Sequence, residues 1–184
     1  MHAEHNPYRV ERLHAIAPPL DEPLTAVLAR FAANRQRGAL VGPHGSGKTT
    51  LLEALAPLLG PVTWLRLRRA PAENRVALRQ LPRHIPGVLL LDGLEQLGPW
   101  DWWQVRRRAT AILATSHRPG RLPLLRRQVA SPALLAALVR DLGEDPPADL
   151  DALFARHRGD LRACLRELYD RAALPASAAT AAAG

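Results

Sequence analysis

The run Gly42-Pro43-His44-Gly45-Ser46-Gly47-Lys48-Thr49 has glycine at its first and sixth positions and ends in Lys-Thr. Glycines at these positions let the backbone curl until successive N–H groups point inward at phosphate oxygens, at the positive end of the helix that comes next. Gly42, Pro43, His44, Gly45, Ser46, Gly47, Lys48, Thr49 and Thr50 are therefore the candidate nucleotide-binding residues. Lys48 supplies a mobile positive charge for the β- and γ-phosphates, and the Thr49 hydroxyl is placed to ligate Mg²⁺. Lys48 is the one lysine among 25 basic residues. A compact ammonium among phosphates is poorly replaced by a planar guanidinium, so its position here favours function. His44 reads as an ordinary loop residue.

Such a loop needs a carboxylate on a neighbouring strand to hold the metal ion. Val88-Leu89-Leu90-Leu91 runs directly into Asp92, and four apolar residues in a row indicate a central parallel strand covered on both faces. Asp92 is thus the candidate metal residue. Glu95, three residues on, is the nearest carboxylate that would orient or activate a water.

The elements that position these groups are legible in outline. Leu24, Val27, Leu28 and Phe31 fall at helical spacing after Pro23, and Ala39-Leu40-Val41 forms a short buried strand leading into the loop. A helix from Lys48 carries a leucine stripe to about Leu59, with Pro57 expected to fray its last turn. Strands are predicted at Val62–Arg68 and Ala111–Thr115, helices around Glu73–Leu81 and Pro99–Arg108, and an extended piece near Leu124–Ala130. Strand and helix alternate, which predicts a parallel sheet. After Ser131-Pro132, a cap and first-turn pair, the pattern is helical only. The predicted organisation is an opening segment and helix (1–37), a nucleotide-binding core (38–130), a small helical unit (131–174) and a disordered tail (175–184).

The chain has 184 residues, 47% hydrophobic and 23% charged, room for one core and a small accessory unit. No run approaches the roughly 18 apolar residues of a membrane span, and the opening residues are polar, so the expected setting is cytoplasmic. A lone cysteine, Cys164, fits a reducing compartment and a filler role. The net charge of +8 is spread along the chain and is nearly all arginine, which does not favour nucleic acid as partner. Trp100, Trp102 and Trp103 before Arg106-Arg107-Arg108 offer either stacking on single strands or a helix packing its indoles on the sheet; packing is the preferred reading.

The order of motifs resembles the AAA+ ATPases over nearly the whole chain. Gly42 to Thr49 looks like their Walker A motif and Leu89 to Asp92 like Walker B. The resemblance implies an α/β fold, a three-layer P-loop NTPase core with a parallel sheet, followed by a small all-helical lid. It implies ATP and Mg²⁺ as cofactors, motion of core against lid read by a partner protein or nucleic acid, and further copies of the chain that complete a neighbour's site. Thr115-Ser116 ends the strand that carries sensor 1 in that family, which assigns Ser116 to the γ-phosphate. Gly159-Asp160-Leu161-Arg162 resembles the Gly-x-x-Arg sensor 2 element as clamp-loader-type members write it, which assigns Arg162. Tyr8 and Val10 fall where the family builds part of its adenine pocket, and Arg126 or Arg127 where it places an arginine finger.

The match departs at Gly93, where AAA+ hydrolases usually have glutamate. Asp92-Gly93-Leu94-Glu95 looks more like the related signal-transduction NTPases. Three functions are expected as alternatives: a Mg²⁺-dependent ATPase with Lys48, Glu95, Ser116 and Arg162 as its catalytic set, an ATP-binding switch with little or no hydrolysis, or a small P-loop kinase. ATP is favoured over GTP because a chain whose one lysine is Lys48 cannot hold an Asn-Lys-x-Asp guanine motif.

Overall fold

A computed structural model describes residues 22–173, and the chain divides into two compact units, Leu20–Val129 and a second that includes Ala130–Gly184. The expectations for Tyr8, Val10 and the rest of the opening segment, and for the tail, lie outside the described residues. In the first unit α1 (Leu24–Ala33) leads into β1 (Arg37–Val41) and α2 (Lys48–Leu55). Next come β2 (Val62–Arg66), α3 (Pro71–Gln80), β3 (Ile85–Asp92), α4 (Pro99–Arg108), β4 (Ala109–Ser116) and β5 (Leu124–Arg127). The strands form one parallel sheet in the order β2-β3-β4-β1-β5. The α/β class and parallel sheet expected from the alternating pattern are those of the structure, and they are those of a P-loop NTPase core.

Side chains alternate across a strand, so each strand feeds two cores. Leu89 and Leu91 of β3, with Ile112 and Ala114 of β4, pack beneath Leu81, Trp102 and Val105 on the side of α3 and α4. Val88 and Leu90, with Ala111 and Leu113, pack on the other side against Val27 and Phe31 of α1 and Leu51, Leu52 and Leu55 of α2. Continuing the alternation by one residue puts Asp92 of β3 and Thr115 of β4 on the face that carries α2. The register agrees, because Leu91 pairs with Ala114.

The boundaries shift where proline and glycine act. α2 stops at Leu55, and Ala56–Leu58, containing Pro57, tightens into a 3₁₀ turn. β3 starts at Ile85, earlier than its apolar run, because Pro86-Gly87 forms an irregularity in the pairing with β4. Gly87 has φ +68°, and a Cβ there would stand 2.0 Å from the Pro61 carbonyl oxygen.

In the second unit Ser131 caps α5 (Pro132–Asp141), its hydroxyl accepting from the Leu134 N–H at 3.1 Å. α6 (Leu150–Arg156) and α7 (Leu161–Ala173) complete it, around Leu135, Val139, Leu153, Cys164 and Leu168. Glu167 and Asp149 hold the three-helix unit through Arg171, at 2.7 and 2.9 Å. No helix among the described residues is long and apolar enough to cross a membrane.

Leu90, fully buried in the central strand, tests this packing. Leu90→Ala is expected to lower unfolding free energy by about 2–5 kcal/mol, read from denaturant midpoints at constant m-value.

Candidate functional site

The loop between β1 and α2 is shaped by close backbone approach. A Cβ on Gly42 would lie 2.2 Å from the Gln128 carbonyl oxygen, so any side chain there would push the loop off the chain just past β5. Gln128 itself is 2% exposed; its N–H donates to the Val41 carbonyl and its side-chain oxygen accepts from Arg126 at 3.0 Å. Gly47, at φ +83°, begins α2 in the left-handed region that glycine occupies without strain. The Lys48 ammonium, on a residue 8% exposed, donates to the Gly42 and Pro43 carbonyls at 2.8 and 2.5 Å, which anchors it inside the loop. Ser46 is fully buried and donates to the Pro43 carbonyl at 2.9 Å.

At the start of α2, the Thr49 hydroxyl stands 3.3 and 3.2 Å from the two Asp92 carboxylate oxygens. The Thr115 hydroxyl donates to Asp92 Oδ1 at 2.5 Å and accepts from the Gly93 N–H at 3.0 Å, fixing the carboxylate from the neighbouring strand. The Thr49 and Asp92 oxygens suit Mg²⁺: neighbouring ligands on a small octahedral cation with bonds of about 2.1 Å lie about 3 Å apart. Among the described residues there is no group of three His, Cys, Asp or Glu able to hold a metal. Phosphates and water would complete the shell, the manner in which Mg²⁺ is usually held.

Ser116 lies elsewhere. The strand alternation turns it to the opposite face from Asp92, where its hydroxyl donates to the Arg118 carbonyl at 2.7 Å. The strand end thus brings Thr115 rather than Ser116 to the Asp92 carboxylate. The signal for Thr115 in the sequence is its parity, two residues beyond Leu113 on the strand face that α2 covers.

Gly93 is required by geometry. Its φ is +93°, and a Cβ there would come within 2.7 Å of the Leu67 carbonyl oxygen. The chain leaves Asp92 through this turn into the 3₁₀ segment Leu94–Gln96, which delivers Glu95 to His117 at 3.0 Å. The His117 ring in turn packs, tilted, at 4.2 Å from the His44 ring of the phosphate loop. His44 is therefore more than a loop residue, and His117 escapes sequence reading because it has no motif spacing to either partner. Burial holds the His117 imidazole below its ordinary range, with the charges of Lys48 and His44 acting the same way; Glu95 and the Gly42 backbone oppose them.

Arg162 occupies the first turn of α7 and is exposed. Its neighbours have structural work in the second unit. Gly159, at φ +78°, closes α6 through a bond from its N–H to the Phe154 carbonyl, and the Asp160 carboxylate accepts from the Arg162 and Ala163 N–H groups at 3.0 and 3.1 Å. Of the two arginine-finger candidates, Arg126 bonds to Glu22 at 2.8 Å with only 10% of its side chain exposed, whereas Arg127 is exposed.

The expectation that the tryptophans pack on the sheet holds for Trp102 alone. Trp100 and Trp103, 66% and 47% exposed, stack on each other at 4.8 Å, with Arg107 over Trp103. Helical spacing places residues 100 and 103 together and turns 102 toward the core. Arg66 stacks on Trp64 and pairs with Glu53 of α2, so this arginine and the α4 arginines stand on opposite faces of the sheet.

No known family model matches the chain. It is similar to the zinc import ATP-binding protein ZnuC of Alkalilimnicola ehrlichii, 28% identical over 185 aligned positions that cover 91% of this chain and 70% of the relative. That likeness, the complete phosphate-loop motif and the parallel sheet together fit a P-loop NTPase and support nucleotide binding.

Gly93→Ala is expected to destabilise the protein by about 1–3 kcal/mol, seen as a lowered thermal midpoint, through the left-handed φ and the Leu67 contact. The His117 resonance followed by NMR against pH is expected to titrate below 6.5. Glu95→Gln, removing the main group that raises it, is expected to lower its midpoint further.

Proposed function

We propose that the chain is a Mg²⁺-dependent ATPase of the AAA+ type. The observation that carries this reading is the meeting of Thr49, Asp92 and Thr115 beside a loop in which Lys48 is already seated. Backbone N–H groups of Gly42 to Thr50 and the Lys48 ammonium bind the phosphates. Thr49 and Asp92 hold Mg²⁺, which when bound neutralises charge on the β- and γ-phosphate oxygens. Thr115 orients Asp92 by donating to it. Glu95 accepts a proton from the attacking water.

The interposition of β4 between β1 and β3 supports the AAA+ reading, since it brings a polar strand end between the phosphate loop and the acidic strand. The stretch between α2 and β3 is occupied by β2 and α3, which leaves little room for the acceptor-binding insertion of a small kinase. Arg162 is assigned to sensing the γ-phosphate, and Arg127 to completing the site of a second copy. The output is motion of the helical unit, read by a partner protein. The turn at Gly93 favours one alternative, an ATP-binding switch, because it bars a carboxylate directly after Asp92.

Mg²⁺-dependent ATP binding and ADP release by the purified protein test the reading. Lys48→Ala removes a charge-assisted hydrogen-bond donor worth about 1.5–3 kcal/mol, so ATP binding is expected to weaken about 10- to 100-fold and turnover to disappear. Binding without turnover by the wild type would favour the switch, and absence of Mg²⁺-dependent binding would overturn the proposal.

A further inference from the structure

The sheet order does more than place Thr115. Because β4 runs between β1 and β3, the residue just past its end has the phosphate loop on one side and the turn after Asp92 on the other. That residue is His117. Its Nε2 lies 3.0 Å from Glu95 Oε1, its ring is 4.2 Å from the His44 ring, and it interacts with the Gly42 backbone. A single imidazole thus bridges the phosphate loop and Glu95.

We propose that His117 is a positioning residue for nucleotide hydrolysis, holding the Glu95 carboxylate beside the phosphate loop while His44 braces the imidazole from the loop itself. The inference rests on the reading that Glu95 activates water. A glutamate three residues past the metal carboxylate has three side-chain torsions to fix, and general-base catalysis depends on its reach to the water being constant. The imidazole fixes one carboxylate oxygen by donating Nε2–H to it and leaves the other to accept from water. In the step so prepared, the water oxygen bonds to the γ-phosphorus while the bond from that phosphorus to the ADP oxygen breaks. The proton lost by the water passes to Glu95 and from there to solvent, leaving ADP and phosphate.

The groups around the imidazole suit this role. Glu95 comes from the 3₁₀ turn, and Lys48 and His44 from the phosphate loop and the start of α2. Burial, with Lys48 acting the same way, holds the His117 imidazole below its ordinary range against the opposing pull of Glu95 and the Gly42 backbone, so that it donates to Glu95 without a full charge that would weaken the carboxylate as a base.

The test separates hydrogen bond from ring. His117→Phe keeps a ring for His44 to pack on but has no donor; His117→Gln keeps a donor and no ring. With Mg-ATP, His117→Phe is expected to lower kcat about 10- to 100-fold, the scale of a misplaced general base, while ATP Kd changes less than about 3-fold. His117→Gln is expected to retain kcat within about 5-fold of the wild type, the partial rescue a correctly placed donor gives. Glu95→Gln should cost at least as much as His117→Phe, and the double variant no more than Glu95→Gln alone. Wild-type kcat in His117→Phe, a loss of ATP affinity as large as the loss of kcat, or losses that multiply in the double variant would each overturn the inference and leave the ATPase reading standing. A wild type that binds ATP without turning it over would overturn both.

Discussion

The Asp92 carboxylate is gripped by hydroxyls from two elements, Thr49 of the phosphate-loop helix and Thr115 of the adjacent strand, and the rest of the site is organised around that grip. A partly buried carboxylate is costly unless its oxygens are satisfied, and two donors satisfy it without neutralising it. The same contacts tie α2 to β3 and β4 at the C-terminal ends of the strands, where crevices of open parallel sheets form. The apolar packing on the α2 face, through Val88, Leu90, Ala111 and Leu113, sets the distance at which the three side chains meet.

The turn after Asp92 obeys a second constraint. The Gly93 N–H must reach Thr115, and its α-carbon must pass the Leu67 carbonyl at a distance no Cβ tolerates. A side chain at that position is excluded by the Leu67 carbonyl and the left-handed φ, while the Gly93 N–H bonds to the same Thr115 hydroxyl that donates to Asp92. Glu95 reaches the loop by another route, a single 3₁₀ turn and an imidazole partner. The glycine after Asp92 thus has a local structural cause, the left-handed turn and the close Leu67 carbonyl.

The arginine-rich composition has a quieter explanation than a single basic binding face. Arg30 and Arg126 converge on Glu22, Arg108 donates to the carbonyls ending α3, and Arg121 donates to the Leu94 and Leu97 carbonyls beside the Glu95 turn. Planar guanidinium donors are suited to bridging such carbonyls and carboxylates. In the second unit Arg156 and Arg171 share Asp149 and Glu167 across helices. Part of the positive charge thus fastens neighbouring segments to one another.

The sequence by itself determined the phosphate loop, the acidic strand end and the alternating parallel architecture, because each depends on spacing along one segment: glycines that curl a backbone, a run of leucines that must be covered on two faces, and helical stripes between them. It also placed Pro57 where the last turn of the helix departs from regularity and Ser131 as the start of the last helical group. Only the tertiary structure decided which of Thr115 and Ser116 meets Asp92, why residue 93 is glycine, and that His44, Glu95 and His117 form one cluster. Those outcomes depend on strand order and on the face each side chain takes in a sheet whose neighbours are far apart in sequence. Residues 44, 95 and 117 lie at the ends of three different connections, and they meet because β4 inserts between β1 and β3. No local spacing encodes that insertion, since it arises from how the strands bury their two apolar faces together.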